Sequence, residues 1–290
     1  MLVTLKEVLQ YARERNCAIG AFNTPNLESI KGVIEAAELL DVPVIIQHAE
    51  AHEHLIKLEE IGPIMIQYAK NAKIPVVVHL DHGESFEACV KAMNLGFTSV
   101  MYDASTKSYW ENVTETQEIV KIAHALGVTV EAELGHMQRS SIGGGEGRST
   151  HDIENVESLY TDSVQAKDFV ELTGVDCLAI SFGTVHGVYL TEPKLDLERV
   201  KEIEEQTKIP LVMHGGSGIG EEDYKRAIKN GIRKINYYTY MNLEAGNKVK
   251  ELMESKDVTE KIFFDELALA AISTIRKNVE KVLRIFSLKD

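Results

Sequence analysis

Residues 75–83 read PVVVHLDHG. Val76, Val77 and Val78 form an apolar run without polar alternation, the pattern of a strand buried on both faces. The run then ends in His79, Asp81 and His82, followed by Gly83. Burying imidazoles and a carboxylate unpaired is costly. The stretch must therefore close in a polar network or deliver these groups to a site.

Similar runs recur along all 290 residues. They are AIGAFN (18–23), VPVIIQHA (42–49), IPVVVHLDH (74–82), TSVMYDAS (98–105), TVEAELG (129–135), DCLAISFGTVHG (176–187), IPLVMHGGSG (209–218) and IRKINYYT (232–239). Amphipathic helical stretches such as NLESIKGVIEAAELL and GEEDYKRAIKNG lie between them. Apolar strands alternating with such helices predict a parallel sheet covered on its faces. Eight units in this length predict an α/β fold, a single-domain (β/α)8 TIM barrel over residues 1–290. A doubly wound open sheet is the alternative, but no GxGxxG opens a helix after the first strand. RSSIGGGEGRSTHD (139–152) is a glycine-rich loop and a candidate lid.

The formal charge of −14 argues against a nucleic-acid partner, which requires a basic footprint. No apolar stretch reaches the roughly 20 residues that span a bilayer, which predicts no membrane partner. MLVTLKEVLQYARERN at the start reads as a charged amphipathic helix, not a signal peptide. Cys17, Cys89 and Cys177 are odd in number and far apart, so a reducing cytoplasm is the expected location. An anionic substrate on so acidic a chain needs local positive character, from a metal or from backbone N–H groups.

In a barrel the C-terminal strand ends converge on one mouth. The ends here carry Asp81 and His82, Asp103 and Ser105, Glu131 and Glu133, Thr184 and His186, His214, and Asn236 and Thr239. His82, His186 and His214 come from three strands, and three protein ligands with an open position describe a catalytic zinc site. Gly83, Gly187 and Gly215 each follow one of these histidines, which is expected to let backbone approach a ligand. HGGSG (214–218) reads as an anion-binding turn after strand seven, where barrels often hold phosphate. QHAEAHEH (47–54), with His48, His52 and His54, reads as mostly solvated surface, and Trp110 as packing.

Taken together, GAFNTPNLES, HLDHG, SVMYDAS, VEAELG, GTVHG, PLVMHGGSGI and KINYYT resemble the class II, zinc-dependent ketose-bisphosphate aldolases of the fructose- and tagatose-bisphosphate type. The resemblance runs over nearly the whole chain and looks closer to the shorter tagatose-type branch. It implies a lyase that reversibly cleaves a phosphorylated ketose to dihydroxyacetone phosphate and an aldehyde. It implies Zn2+ on His82, His186 and His214, with Asp81 as acid/base at the C4 hydroxyl. Gly187, Gly215, Ser217, Asn236 and Thr239 match phosphate-binding positions. Asp103 and Glu133 match positions that hold the metal in an alternative, buried location. A monovalent cation, Na+ or K+, near the Gly187 and Gly215 loops is implied too, as is a homodimer or homotetramer. Zinc acts in such a site as a Lewis acid on the C2 carbonyl, so no Schiff-base lysine is required. Lys234, early in strand eight, is the nearest lysine candidate and is poorly placed for that role.

The chain departs from the family around the substrate. The loop after VEAELG is longer and lacks the usual Glu-Asp pair, leaving Glu146 as the match for the residue that exchanges the C3 proton. Strand eight reads NYYTYM where small residues usually flank the Asn and Thr, so two tyrosines are expected to reshape the pocket. These changes raise an aldolase acting on a different sugar phosphate or keto-acid phosphate, or a non-catalytic accessory subunit. A barrel metallohydrolase is a further alternative, disfavoured because strand one ends AFNTP without an HxH.

Overall fold

The computed structural model describes residues 1–140, 159–257 and 259–288. Its strands in chain order are β1 (Ile19–Asn23), β2 (Val44–Ala49), β3 (Val76–Gly83), β4 (Ser99–Tyr102), β5 (Thr129–Leu134), β6 (Gln138–Arg139), β7 (Cys177–Ile180), β8 (Val185–His186), β9 (Leu211–Met213) and β10 (Ile232–Asn236). Eight of them close a barrel in the order β1-β10-β9-β7-β5-β4-β3-β2, and every pairing in it is parallel. The predicted (β/α)8 architecture is the one observed.

Helix α1 (Leu5–Arg15) precedes the barrel. A capping box between Thr4 and Glu7 satisfies its first N–H groups. Its apolar stripe, Leu5, Val8, Leu9 and Ala12, packs with Ile19, Ala21, Ile45, Val77, Cys177, Ala179 and Val212. Those strand residues are the lower layers of the barrel interior, so α1 plugs the end opposite the mouth. Each fully buried Val, Leu or Ile contributes about 1.5–3 kcal/mol.

The outer ring comprises α2 (Leu27–Leu40), α3 (Leu58–Asn71), α4 (Phe86–Asn94), α5 (Tyr109–Ala125), α6 (Ser163–Thr173), α7 (Leu197–Thr207), α8 (Glu221–Lys229), α9 (Thr239–Ser255) and α10 (Phe264–Phe286). The apolar stripe of α10 packs on its own barrel: Ile275, Val279, Leu283 and Phe286 are buried. Close crossing with α2 depends on Gly32, where a Cβ would lie 2.6 Å from Ile275 Cγ2.

Two segments differ from the sequence reading. Residues 176–187 are not one strand. β7 stops at Ile180, the chain turns at Gly183 with φ +113°, and β8 then pairs with β6 outside the barrel. His186 therefore sits on a two-stranded ladder over the mouth, not at a barrel-strand end. QHAEAHEH is not solvated surface either: His48 and His52 are buried, His48 within β2 and His52 in a 3-10 turn over residues 50–52. Trp110 reverses the expectation of packing, because at 66% exposure it projects from α5 while its neighbour Tyr109 packs on Phe169.

Candidate active site

β3 carries Asp81 and His82 to the barrel mouth. Consecutive strand residues normally point to opposite faces. Here the register against β4 shifts between Leu80 and Gly83, and His82 adopts φ +43°. Such a bulge re-aims side chains, and both Asp81 and His82 reach the mouth. Gly83 is required by the resulting close approach, since a Cβ there would lie 2.7 Å from Met101 O. Gly215 behaves alike, with φ +61° and a Cβ position 2.5 Å from Val185 O. At both glycines it is backbone that approaches backbone.

Asp81 is fully buried and receives three amide donors. Asn23 Nδ2 lies 3.0 Å and Gln47 Nε2 2.9 Å from Oδ2, and Asn236 Nδ2 lies 3.0 Å from Oδ1. Burial pushes the carboxyl pKa up, but His82, Lys234 and His214 outweigh it and hold the group well below its usual range. Asp81 is therefore a fixed, ionised carboxylate at neutral pH.

His82, His186 and His214 are all buried and offer ligand atoms within 4.8 Å of one another. His82 Nε2 is 3.0 Å from His214 Nδ1. Both ring nitrogens of His186 are buried without a hydrogen-bond partner, as is Glu133 Oε2. Unpartnered buried nitrogens facing two more imidazoles are what a metal ligand set requires. The outer partners are present as well: Asp103 Oδ2 accepts from His82 Nδ1 at 2.8 Å, and Glu131 Oε1 lies 2.9 Å from His214 Nε2. His82, Asp103 and Glu133 form a second group within the same 4.8 Å limit. Nitrogen and carboxylate donors of this kind suit zinc.

The electrostatics follow from this crowding. Burial pulls the His82 imidazole down, but Asp81 and Asp103 more than offset it and hold its pKa well above normal. His186 is driven well below normal by burial and by the two other histidines. Glu133 is pushed well above normal by burial and by Asp103. Burial also raises Glu131, but Lys234 and His214 dominate and bring it to about 2.

The phosphate candidates form one surface. Ser217 Oγ accepts from Tyr238 N at 3.0 Å, joining the HGGSG turn to the N-terminus of α9, where Thr239 is the first residue. No side chain caps that N-terminus and its first turn holds no acidic residue, both favourable to an anion. Gly187 (φ +97°) follows β8, and Tyr189 Oη ties the segment down by donating to Gly215 O at 2.8 Å. Asn236 bridges the two regions: its side-chain Nδ2 donates to Asp81 Oδ1 at 3.0 Å, and its backbone carbonyl accepts from Gly216 N of the turn at 3.1 Å. The two strand-eight tyrosines diverge: Tyr237 packs on Phe22 and Phe286, while Tyr238 lies against the His52 ring at 5.2 Å. Glu146 lies outside the described residues.

With this geometry the comparisons with known proteins agree. A family model described as fructose-bisphosphate aldolase class-II matches residues 3–290. The chain belongs to the class II fructose-bisphosphate aldolase family. A probable fructose-bisphosphate aldolase of Bacillus subtilis strain 168 is 40% identical over 260 residues, covering 88% of this chain and 87% of that protein. A fructose-bisphosphate aldolase of Staphylococcus epidermidis is 40% identical over 261 residues, covering 89% and 88%. The crystal structure of the YdjI aldolase from Escherichia coli K12 superposes with TM-score 0.85 at 35% identity, covering 99% of this chain and 97% of that one. A putative fructose-1,6-biphosphate aldolase from Coccidioides immitis gives 0.84 at 28% identity, covering 97% and 95%.

Within this class II aldolase framework, sequence reading missed Asn23, Gln47 and Lys234 as parts of the site. Their signal was present, because each is a polar residue within a strand whose residues are almost all buried. Lys234 is fully buried with Nζ 2.8 and 3.0 Å from the two oxygens of Glu131, so it is an ion-pair partner rather than a Schiff-base nucleophile.

Proposed function

We propose that this class II aldolase reversibly cleaves a ketose 1,6-bisphosphate of the fructose or tagatose type to dihydroxyacetone phosphate and an aldehyde. The reading treats the whole chain, 1–290, as one zinc-dependent catalytic domain, working in the cytoplasm as a homodimer or homotetramer. One observation carries it: three buried imidazoles from separate segments converge beside an ionised, triply hydrogen-bonded Asp81.

His82, His186 and His214 would hold the zinc, with Asp103 and Glu133 offering the alternative buried position beside His82. When bound, zinc supplies Lewis-acid polarisation of the C2 carbonyl. Asp81 takes the proton of the C4 hydroxyl as the C3–C4 bond breaks and returns it in the reverse direction. General acid–base work of this kind contributes about 10²–10⁴-fold. Asn23, Gln47 and Asn236 fix both oxygens of Asp81 and exclude water from them. The Gly215–Gly218 turn, Gly187, Ser217 and Thr239 would bind the phosphate of the dihydroxyacetone half, with Asn236 at its edge. A monovalent cation near the Gly187 and Gly215 loops belongs to the same reading, and Glu146 is assigned the C3 proton by the family pattern.

A second substrate reading within the family has one supporting observation. Tyr238 leans on His52, and Tyr240 covers Gly218 so closely that a Cβ there would lie 2.8 Å from its ring. These rings narrow the approach to the phosphate turn and favour a sugar phosphate of different shape.

The test is to dialyse the purified protein, quantify bound metal, and measure dihydroxyacetone phosphate release from fructose and tagatose 1,6-bisphosphates and monophosphate ketoses. Cleavage lost to a chelator and restored by zinc is expected. Zinc bound with a monophosphate ketose as best substrate would favour the second reading. Failure to bind zinc would sink the metal assignment.

A further inference from the structure

Beneath the three histidines lies a buried polar chain that the aldolase reading does not use. Lys234 Nζ contacts both oxygens of Glu131, at 2.8 and 3.0 Å. Glu131 Oε1 is 2.9 Å from His214 Nε2. The other nitrogen of His214, Nδ1, is 3.0 Å from His82 Nε2 and 3.5 Å from Glu133 Oε2. On the far side, His79 Nε2 is 3.5 Å from Lys234 Nζ, and His79 Nδ1 is 2.8 Å from Ser99 Oγ. Lys234, Glu131, His79 and His214 are all fully buried, and Lys234 is the only buried Lys or Arg among the described residues.

We propose that Lys234 is a positioning residue for the metal site, fixing Glu131 so that Glu131 holds His214 with its proton on Nε2 and its Nδ1 lone pair toward His82 and His186. The inference rests on the reading of His214 as a zinc ligand.

An ionised carboxylate only accepts, so the bond at Glu131 Oε1 places a proton on His214 Nε2. A neutral imidazole then presents its lone pair at Nδ1, the nitrogen that faces the histidine cluster. His214 has a competing acceptor, because Glu133 Oε2 lies on its Nδ1 side. A proton drawn to that side would block the ligand atom. Lys234 prevents this by neutralising Glu131 and gripping both its oxygens, which leaves the carboxylate one orientation. Stability does not explain the pair, since a buried ion pair is often replaceable by apolar residues at no loss. Lys234 comes from β10, registered with Val212 of β9 two residues before His214, so it reaches Glu131 from below without entering the mouth.

The test uses the full-length protein labelled with 15N-histidine, together with Co2+ titration. Wild type is expected to bind Co2+ and, metal-free, to show His214 protonated at Nε2 and not at Nδ1. Lys234→Met is expected to lose the single tautomer, to weaken Co2+ binding about 10–100-fold, and to alter the Co2+ d–d bands. Lys234→Arg keeps the cation and is expected to retain the wild-type tautomer. Wild type that takes up no Co2+ would overturn the zinc-site reading itself. Wild type that binds Co2+, with Lys234→Met matching its spectrum and its affinity within about twofold, would overturn only the role of Lys234. Should Lys234→Met not fold, the wild-type spectrum still decides, because a His214 proton on Nδ1 refutes the inference.

Discussion

Asp81 and His82 are neighbours in the chain, yet both face the barrel mouth, because β3 bulges between Leu80 and Gly83 and His82 takes φ +43°. A non-glycine residue held in that region costs of order 1–3 kcal/mol. The strain persists because Asp81 is held by three amides and His82 by Asp103. One bulge thus puts the proposed acid/base and a proposed metal ligand in the same small volume.

Removing the proposed acid/base should separate chemistry from metal binding. Asp81→Asn is expected to lower kcat by about 10²–10⁴-fold while zinc content stays at the wild-type level. Steady-state kinetics and metal analysis on one preparation check this. A variant that also loses its zinc would mean that Asp81 maintains the metal site.

Asp103 contacts His82 at Nδ1, away from the nitrogen that faces His214. Asp103→Asn is expected to weaken zinc affinity about 10–100-fold with the far-UV circular dichroism unchanged. Competition with a chromophoric chelator reads the affinity directly. Unchanged affinity would assign Asp103 to structure alone.

Gly215 has φ +61°, and a Cβ there would meet Val185 O at 2.5 Å. The obstacle is backbone, one residue from His186. Gly215→Ala is expected to cost about 1–2 kcal/mol for the left-handed conformation alone, plus displacement of β8. Denaturant unfolding and zinc stoichiometry should both fall. A fully stable, zinc-replete variant would show that the two loops are not locked together.

Ser217 joins the glycine turn to the start of α9. Ser217→Ala is expected to raise KM about tenfold with little change in kcat, the signature of lost uniform binding. A drop confined to kcat would move Ser217 from phosphate binding to the chemical step.

His48 gives a pH dependence separate from the metal cluster. Burial brings its pKa from 6.5 to about 4, against a weaker opposing effect of Asp81; His52 lies beside it, and Glu53 Oε1 is 3.8 Å from Nε2. The folded state therefore binds fewer protons than the unfolded state between those two values. Its contribution is full above pH 6.5 and falls away as the pH drops toward 4. His48→Gln should reduce the acid loss of stability by about 3 kcal/mol. Urea melts of both proteins at neutral pH and near the lower limit measure the difference, and parallel pH profiles would refute it.

The barrel was legible from sequence because its cause is local. Runs such as Val76–Val78 are apolar on both faces, and that pattern suits only a covered parallel strand. The metal and acid/base candidates were legible for a related reason: His82, His214 and Asp81 are polar groups at the ends of such runs, and a barrel gathers those ends. Tertiary structure decided what depends on partners distant in sequence. Asn23, Gln47 and Asn236 become the support of Asp81 only because β10, β1, β2 and β3 are consecutive around the closed sheet. His186 left the barrel strand because the chain turns at Gly183. His48 and His52 are buried, His48 within β2 and His52 between the rings of His48 and the distant Tyr238, which local polarity does not reveal. Periodicity reports which face of an element avoids water. Which polar groups satisfy one another inside is set by contacts across the closed barrel, and no short window of sequence contains those.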